Sequence, residues 1–352
     1  MFNGSYLPSD VIFLMKIIDI TETPIEKKEE YIREKKFHYS EMISPEYRPD
    51  SKYLELFYEA LELNIDRVTS HLLSLAVYFS KLQNPVIVSL ARAGTPIGVI
   101  LKRMLQYFYN LDIPHYSISI IKDRGIDEKA LSYILDEHPL ANLEFIDGWV
   151  SKGSIAKELQ SSINNFNEKF KVNIKGHLHV LSDISGCAYA TVTNDDYLIP
   201  SAILNSVISG LVSRSIYTSE MELEGSFHGC KYYKELADID ISKWYVEQIM
   251  SRAKEINRLE IPEVQIGGND ILRNKVRSFL DNYAFENDVS NLEMLKPGIG
   301  EATRALLRRI PKILIVQNSN CKEIQHILHL CQQRKVAIQF SPELPFKVMA
   351  VL

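Results

Sequence analysis

Residues 143–159 read LEFIDGWVSKGSIAKEL: an apolar run stops at Asp147, a small-residue loop follows, and a helical pattern opens at Ser154. A strand that ends in an acid and feeds a Ser/Gly loop into a helix start is a phosphate-binding device, because the loop N–H groups and the helix N-terminus converge on one anion. In parallel α/β sheets ligands sit outside the carboxyl ends of the strands. Asp147 is thereby placed to hold sugar hydroxyls, while Ser151, Lys152, Gly153 and Ser154 hold a phosphate on the same sugar. The stretch reads as a site for a phosphorylated ribose in an α/β domain.

Two further strand–loop–helix units lie upstream. Pro85 to Leu90 (PVIVSL) is a β-branched run typical of a buried parallel strand, followed by Ala91-Arg92-Ala93-Gly94-Thr95-Pro96 and a helix through Tyr107. Arg92 can supply a charge-assisted contact there, and the small Ala93 and Gly94 let backbone approach an anion. His115 to Ile121 alternates as a strand and leads to Lys122-Asp123-Arg124-Gly125 and a helix to about Glu137. Three such units in succession predict a parallel sheet with helices on its faces.

The central stretch resembles the phosphoribosyl-diphosphate loop of the type I phosphoribosyltransferases, in which a strand ending in two acids runs into a Thr/Ser/Gly loop. Ile146, Asp147, Val150, Ser151, Gly153 and Ser154 meet that pattern, and Gly148 stands where the second acid would be. The resemblance implies binding of Mg²⁺-phosphoribosyl diphosphate, with its diphosphate on Arg92, Ala93, Gly94 and Thr95 and its 5′-phosphate on Ser151 to Ser154. Asp147, Arg124 and Lys122 would act in transfer to or from a base-like small molecule. The missing second acid supports an alternative, a non-catalytic nucleotide sensor.

Elsewhere, residues 1–50 read as an N-terminal extension, with a strand in Asp10–Ile20, a charged helix in Thr21–Lys36 and a Pro-containing loop from His38 to Asp50. Ser51 to Leu82 has helical periodicity, and residues 51–260 form the main domain. His177 to Leu181 is a strand ending in Ser182-Asp183-Ile184-Ser185-Gly186-Cys187, and Leu198 to Arg214 (LIPSAILNSVISGLVSR) suits a buried helix. Ile256 to Gly268, with Pro262, Gly267 and Gly268, marks a boundary. Residues 269–352 then run αβαβ and resemble the pelota-like fold of ribosomal proteins. That resemblance implies RNA binding at the Gly-rich start of a helix, through Gly298, Gly300, Thr303, Arg304 and Arg308.

The 352 residues, 46% hydrophobic and 24% charged, are those of a globular protein, and the longest apolar runs fall short of a membrane span. The N-terminus lacks a secretory pattern, so the cytoplasm is the expected address and no membrane partner is expected. Cys187, Cys230, Cys321 and Cys331 have no C-x-x-C spacing and are too few for a disulfide framework. Net charge is −5 but uneven, with 12 Lys and Arg against 9 Asp and Glu in residues 263–352.

Taken end to end, the chain resembles a bacterial family of phosphoribosyltransferase-like proteins found with tellurite-resistance stress genes and carrying a pelota-like C-terminal domain. That family is also named as the StiP cysteine proteases. Under the second label Cys187 would be the nucleophile and His228 its base, with Asp183 or Asp196 orienting the imidazole. Phosphoribosyl transfer is the first expectation and protease chemistry the second.

Overall fold

The structure is a computed structural model describing residues 1–352, the side chain of Glu222 apart. Its central sheet is built from β1 (Ile12–Phe13), β2 (Pro85–Leu90), β3 (His115–Ile118), β4 (Asn142–Ile146), β5 (Trp149–Val150), β6 (Leu178–Asp183), β7 (Ala190–Thr193) and β8 (Gln265–Ile266). The order is β1-β3-β2-β4-β6-β7-β8, with β5 paired to the end of β6; all pairs are parallel except the last. Apolar residues on both faces of β2 explain its central place. Ile87 joins one hydrophobic core, and Val86, Val88 and Leu90 join the other.

The helices are α1 (Ile25–Arg33), α2 (Ser51–Phe79), α3 (Gly94–Tyr109), α4 (Glu128–Glu137), α5 (Ser154–Phe170), α6 (Ser219–Glu224), α7 (Ser242–Ala253), α8 (Asp270–Glu286), α9 (Ile299–Arg308) and α10 (Gln325–Arg334). Helices α2, α3 and α7 cover one face of the sheet, and α4 and α5 cover the other. The helical periodicity after Ser51 is one 29-residue helix, started by the Asp50 carboxylate, which accepts from the Tyr53 N–H at 2.8 Å.

Leu198–Arg214 is not a helix. It folds as two short 3₁₀ turns, Pro200–Ala202 and Ser206–Ile208, within an irregular buried path. Pro200, Gly210 at φ +83° and Leu211 at φ +61° interrupt any continuous helix. Side chains from elsewhere serve its backbone instead: the Tyr53 hydroxyl donates to the Ile203 carbonyl at 2.8 Å, and the Gly210 N–H donates to Ser242 Oγ at 2.9 Å.

The small second domain has a four-stranded sheet of β9 (Leu295–Pro297), β10 (Ile313–Val316), β11 (Ala337–Phe340) and β12 (Val348–Val351), in the order β9-β12-β10-β11. Helix α8 packs on one side of it with Val276, Leu280 and Phe346. On the other side α9 and α10 do not cap a separate core. Ile299, Ala302, Leu306, Ile327 and Leu330 belong to the same cluster as α2, α3 and α7 of the main domain.

The second domain is docked on the carboxyl ends of the main sheet. The half-buried Asp196 carboxylate, just beyond β7, accepts from the N–H groups of Ile299 at 2.9 Å and Lys347 at 2.8 Å. The first of these opens α9, where a negative charge is stabilised by the unpaired N–H groups and the helix dipole. Gly300 lies flat on Trp149, so a Cβ there would stand 2.2 Å from Cε2 of the indole. Arg304 stacks over the same ring at 4.4 Å.

Glu293 completes the contact. Its carboxylate meets Lys152 Nζ at 3.0 Å and Lys122 Nζ at 3.2 Å, and accepts from Ser154 Oγ at 3.1 Å. Burial alone would raise its pKa, but Lys152, Lys296 and Lys122 outweigh burial and hold it down to about 2.

Two outcomes follow from this docking. Gly300→Val should lower stability by about 1–3 kcal/mol through overpacking. It should also shift Trp149 emission to the red, which fluorescence during denaturant unfolding would read. Glu293→Gln should cost about 1 kcal/mol near neutrality, since the acid is 32% exposed. The folded carboxyl lies below its ordinary 4.5. Its stabilisation is therefore complete above that value and lost as pH falls toward about 2, so the gap between wild type and variant in thermal melts should close across that window.

Candidate active site

The loop Ser151–Ser154 is where the sequence predicts it, between β5 and α5, but the side chains of Lys152 and Ser154 are already engaged from within the chain. Lys152 Nζ donates to the carbonyls of Leu292 at 2.8 Å and Leu295 at 3.1 Å in addition to pairing with Glu293. The chain's own carboxylate thus takes the position expected for a phosphate. Asp147 is buried, with Oδ1 accepting from the Gly148 N–H at 2.8 Å; burial raises its pKa to about 6, against the pull of Arg304.

The other residues expected at that site are also engaged within the protein. Arg92 pairs with Glu46 at 3.0 Å and donates to the Val212 carbonyl at 2.8 Å, pointing away from the loop. A Cβ on Gly94 would stand 2.2 Å from the Ile146 carbonyl, Ala93 packs against the core, and Thr95 Oγ1 meets Ser117 Oγ at 2.7 Å. Arg124 pairs with Glu41 and donates to the Tyr217 carbonyl at 2.7 Å. Among the described residues there is no group of three or more His, Cys, Asp or Glu side chains arranged to hold a metal ion.

The residues expected to grip RNA are likewise covered. Gly298 and Gly300 face Ile184, Asp196, Ser151 and Trp149. Thr303 is fully buried and bonded to His326 Nε2 at 2.8 Å, Arg304 lies on Trp149, and Arg308 reaches Asn205 Oδ1 at 3.3 Å. The Gly-rich helix start is a docking surface between the two domains.

What remains open beside the loop is a cleft of about 1000 Å³, walled by α5, the β6–β7 connection and α8. Cys187 lies on it, half-buried, with its thiol donating to the Ser185 carbonyl at 3.6 Å. Asp183 shapes the connection that carries it. Its carboxylate accepts from the N–H and hydroxyl of Ser185, at 2.9 and 2.8 Å, and from the Ala188 N–H at 2.7 Å.

The sulfur rests against Gly153, the residue that precedes α5. Gly153 is at φ +84°, and a Cβ there would stand 2.5 Å from Cys187 Sγ. The N–H groups of the first turn of a 17-residue helix therefore begin beside the thiol. Such a place favours negative charge, the condition a thiolate and a tetrahedral oxyanion both require.

His228 is not its partner. It lies at the far end of β3, with Nδ1 at 2.8 Å from Ser119 Oγ and its N–H donating to Asp127 at 2.6 Å, in a separate cleft. Strands β2 and β4 stand between the β3 and β6 ends of the sheet, and at roughly 4.8 Å per strand three spacings separate the two residues. Asp196 serves α9 and does not orient an imidazole.

The histidine that shares the cleft with Cys187 is His177. Its ring stacks on Tyr189 with centroids 3.5 Å apart, and its Nδ1 is 3.7 Å from Glu144 Oε2, which also takes His179 Nε2 at 2.7 Å. Burial lowers the His177 pKa, with Glu144 acting in the opposite sense. The signal for this group was present in two strands: His177 and His179 project to one face, and Glu144 interrupts the apolar run of the neighbouring strand.

Comparison with known proteins bears on these two chemistries. Residues 4–250 match the family described as "Tellurite-like stress resistance cysteine protease StiP", and residues 274–352 match the PELOTA RNA binding domain. The chain is 37% identical over 348 residues to the cysteine protease StiP of Acinetobacter baylyi (strain ATCC 33305 / BD413 / ADP1), covering 96% of this chain and 90% of that protein. These matches overturn the expectation of phosphoribosyl transfer: the family and the relative are both named for protease chemistry, and nothing in them extends to a phosphoribosyltransferase. With a matched region covering most of the main domain and a relative aligned over nearly its whole length, the chain belongs to the StiP family.

Proposed function

We propose that the chain is a cysteine protease with Cys187 as its nucleophile. One observation carries the reading. Of the two cysteines within the family match, Cys230 is buried, its thiol pushed up to about 12 by burial, whereas Cys187 opens on a cleft at a helix N-terminus. Only an accessible sulfur that can carry negative charge serves as a nucleophile.

In this reading a substrate peptide lies along the cleft between α5 and α8. The Cys187 sulfur attacks the scissile carbonyl carbon, and the first-turn N–H groups of α5 receive the developing oxyanion. His177, steadied by Glu144 and Tyr189, takes the thiol proton and returns it to the leaving amine; water then releases the acyl group and restores the thiol. Asp183 is a positioning residue, since it fixes the loop that presents Cys187.

The match of residues 274–352 to an RNA-binding domain supports a second role, contact with RNA. Since the α9 start is occupied, we place that contact on α8, where Arg273, Lys275 and Arg277 are exposed. Arg273 and Arg277 also line the Cys187 cleft.

Cys187→Ala should abolish cleavage of an unfolded protein such as casein, and iodoacetamide should label Cys187 in the native chain while sparing Cys230 and Cys331. His177→Ala should lower kcat/KM by about 100-fold or more, the usual worth of a general base. His228→Ala should leave most of the activity. Cleavage that survives Cys187→Ala ends the protease reading. For RNA, Lys275→Glu with Arg277→Glu should weaken binding and flatten its dependence on salt.

A further inference from the structure

On the opposite side of the docking contact lies a cavity of about 240 Å³, between the N-terminal extension, the main domain and the ends of α9 and α10. Its size suits a compact ligand, below the range of pockets for drug-sized molecules. Its lining is cationic: Lys28, Arg92, Arg214, Arg308 and Arg334 all contribute. Lys28 and Arg92 are buried, at 3% and 6% exposure.

Of these five, among the described residues, only Arg92 is ion-paired with a carboxylate, that of Glu46 at 3.0 Å. Asp50, the other acid on the lining, is engaged by the start of α2 and by Gln333, and Arg48 turns outward to Asp238. The remaining four cations find neutral oxygens. Lys28 Nζ reaches Ser44 Oγ at 3.1 Å and the Arg308 carbonyl at 3.5 Å. Arg214 donates to the carbonyls of Tyr39 and Met42, Arg308 to Asn205, and Arg334 to the carbonyls of Arg309 and Leu307. Arg214 Nη1 is buried with no hydrogen-bond partner among the described residues.

Of the four cations without a carboxylate, Lys28 is buried and Arg214, Arg308 and Arg334 are half-buried, and each gives up hydration that a charged partner would ordinarily replace. Here the cations also oppose one another. Burial and the neighbouring arginines lower Lys28 to about 7, and burial lowers Arg214 to about 10, with Arg92 adding to the effect. A surplus of this size, held by four separate segments around one cavity, has no structural use when the cavity is empty of charge. An ion with several negative oxygens would satisfy it and would join the extension, the core and the second domain through shared contacts.

We infer that this cavity binds a compact polyanion of the diphosphate class, which pins the second domain to the main domain. Of the loops read from sequence as phosphate cradles only Arg92 reaches it; Ala93–Thr95 and Ser151–Ser154 do not line it. It reaches the Cys187 cleft through the second domain, whose Leu292, Glu293 and α8 form one wall of that cleft. Occupancy would therefore steady that wall without any contact with substrate.

The test is thermal unfolding and calorimetric titration of the full chain with sodium diphosphate, against sodium chloride of matched ionic strength, and in parallel with ATP. A saturable rise in Tm beyond the chloride control is expected. A rise with diphosphate alone assigns a free inorganic anion, and an equal or larger rise with ATP assigns the polyphosphate of a nucleotide. Arg214→Met and Arg308→Met should each weaken binding at least about tenfold, the worth of one charge-assisted contact. Lys28→Met guards against variants that fail to fold: removing a repelled charge should leave the ligand-free Tm equal or higher, while the ligand-dependent rise shrinks. No rise with either anion, or a rise that Lys28→Met leaves unchanged, overturns the inference.

Discussion

The arrangement depends on one carboxylate lodged against a helix start. Asp196 follows the carboxyl end of β7 and takes the first N–H of α9 together with the N–H of Lys347, so two elements of the second domain are held by a single side chain of the first. Burial raises its pKa to about 6, the two N–H groups working against that rise. Once α9 is held there, Gly300 must lie on Trp149, Arg304 covers the indole, and the segment 292–295 is carried over the start of α5. The Cys187 cleft is what this docking leaves uncovered, and α8 becomes its outer wall.

Much of the fold could be read in the chain because its signals are local. PVIVSL is apolar on both faces and is central; the Ser154 helix start, the helix from Glu128 and the αβαβ order beyond Asp270 are in place. The Leu198–Arg214 segment misled because apolar composition was weighed above Pro200 and Gly210. Its buried backbone depends on Tyr53 and Ser242, residues that no periodicity connects to it.

The site was less legible, and for a different reason. A Ser/Gly loop before a helix attracts an anion, but local sequence does not say whether that anion is a ligand or Glu293, some 140 residues further on. Pairing Cys187 with His228 likewise assumed nearness that the strand order denies, since β2 and β4 lie between them. The helix-start glycines after Pro297 carried the geometry of a binding surface, and the protein uses that geometry on itself. In both loops the group that meets the helix start is internal.

The shared core has a consequence for the segment from Ile256 to Gly268, much of which is exposed, Leu259 most of all. A backbone break there would not release the C-terminal piece, because α9 and α10 pack into the same apolar cluster as α2, α3 and α7. The nicked molecule would travel as one particle through a sizing column and separate only when denatured. Covalent continuity at the exposed stretch around Leu259 is thus dispensable to the assembled form.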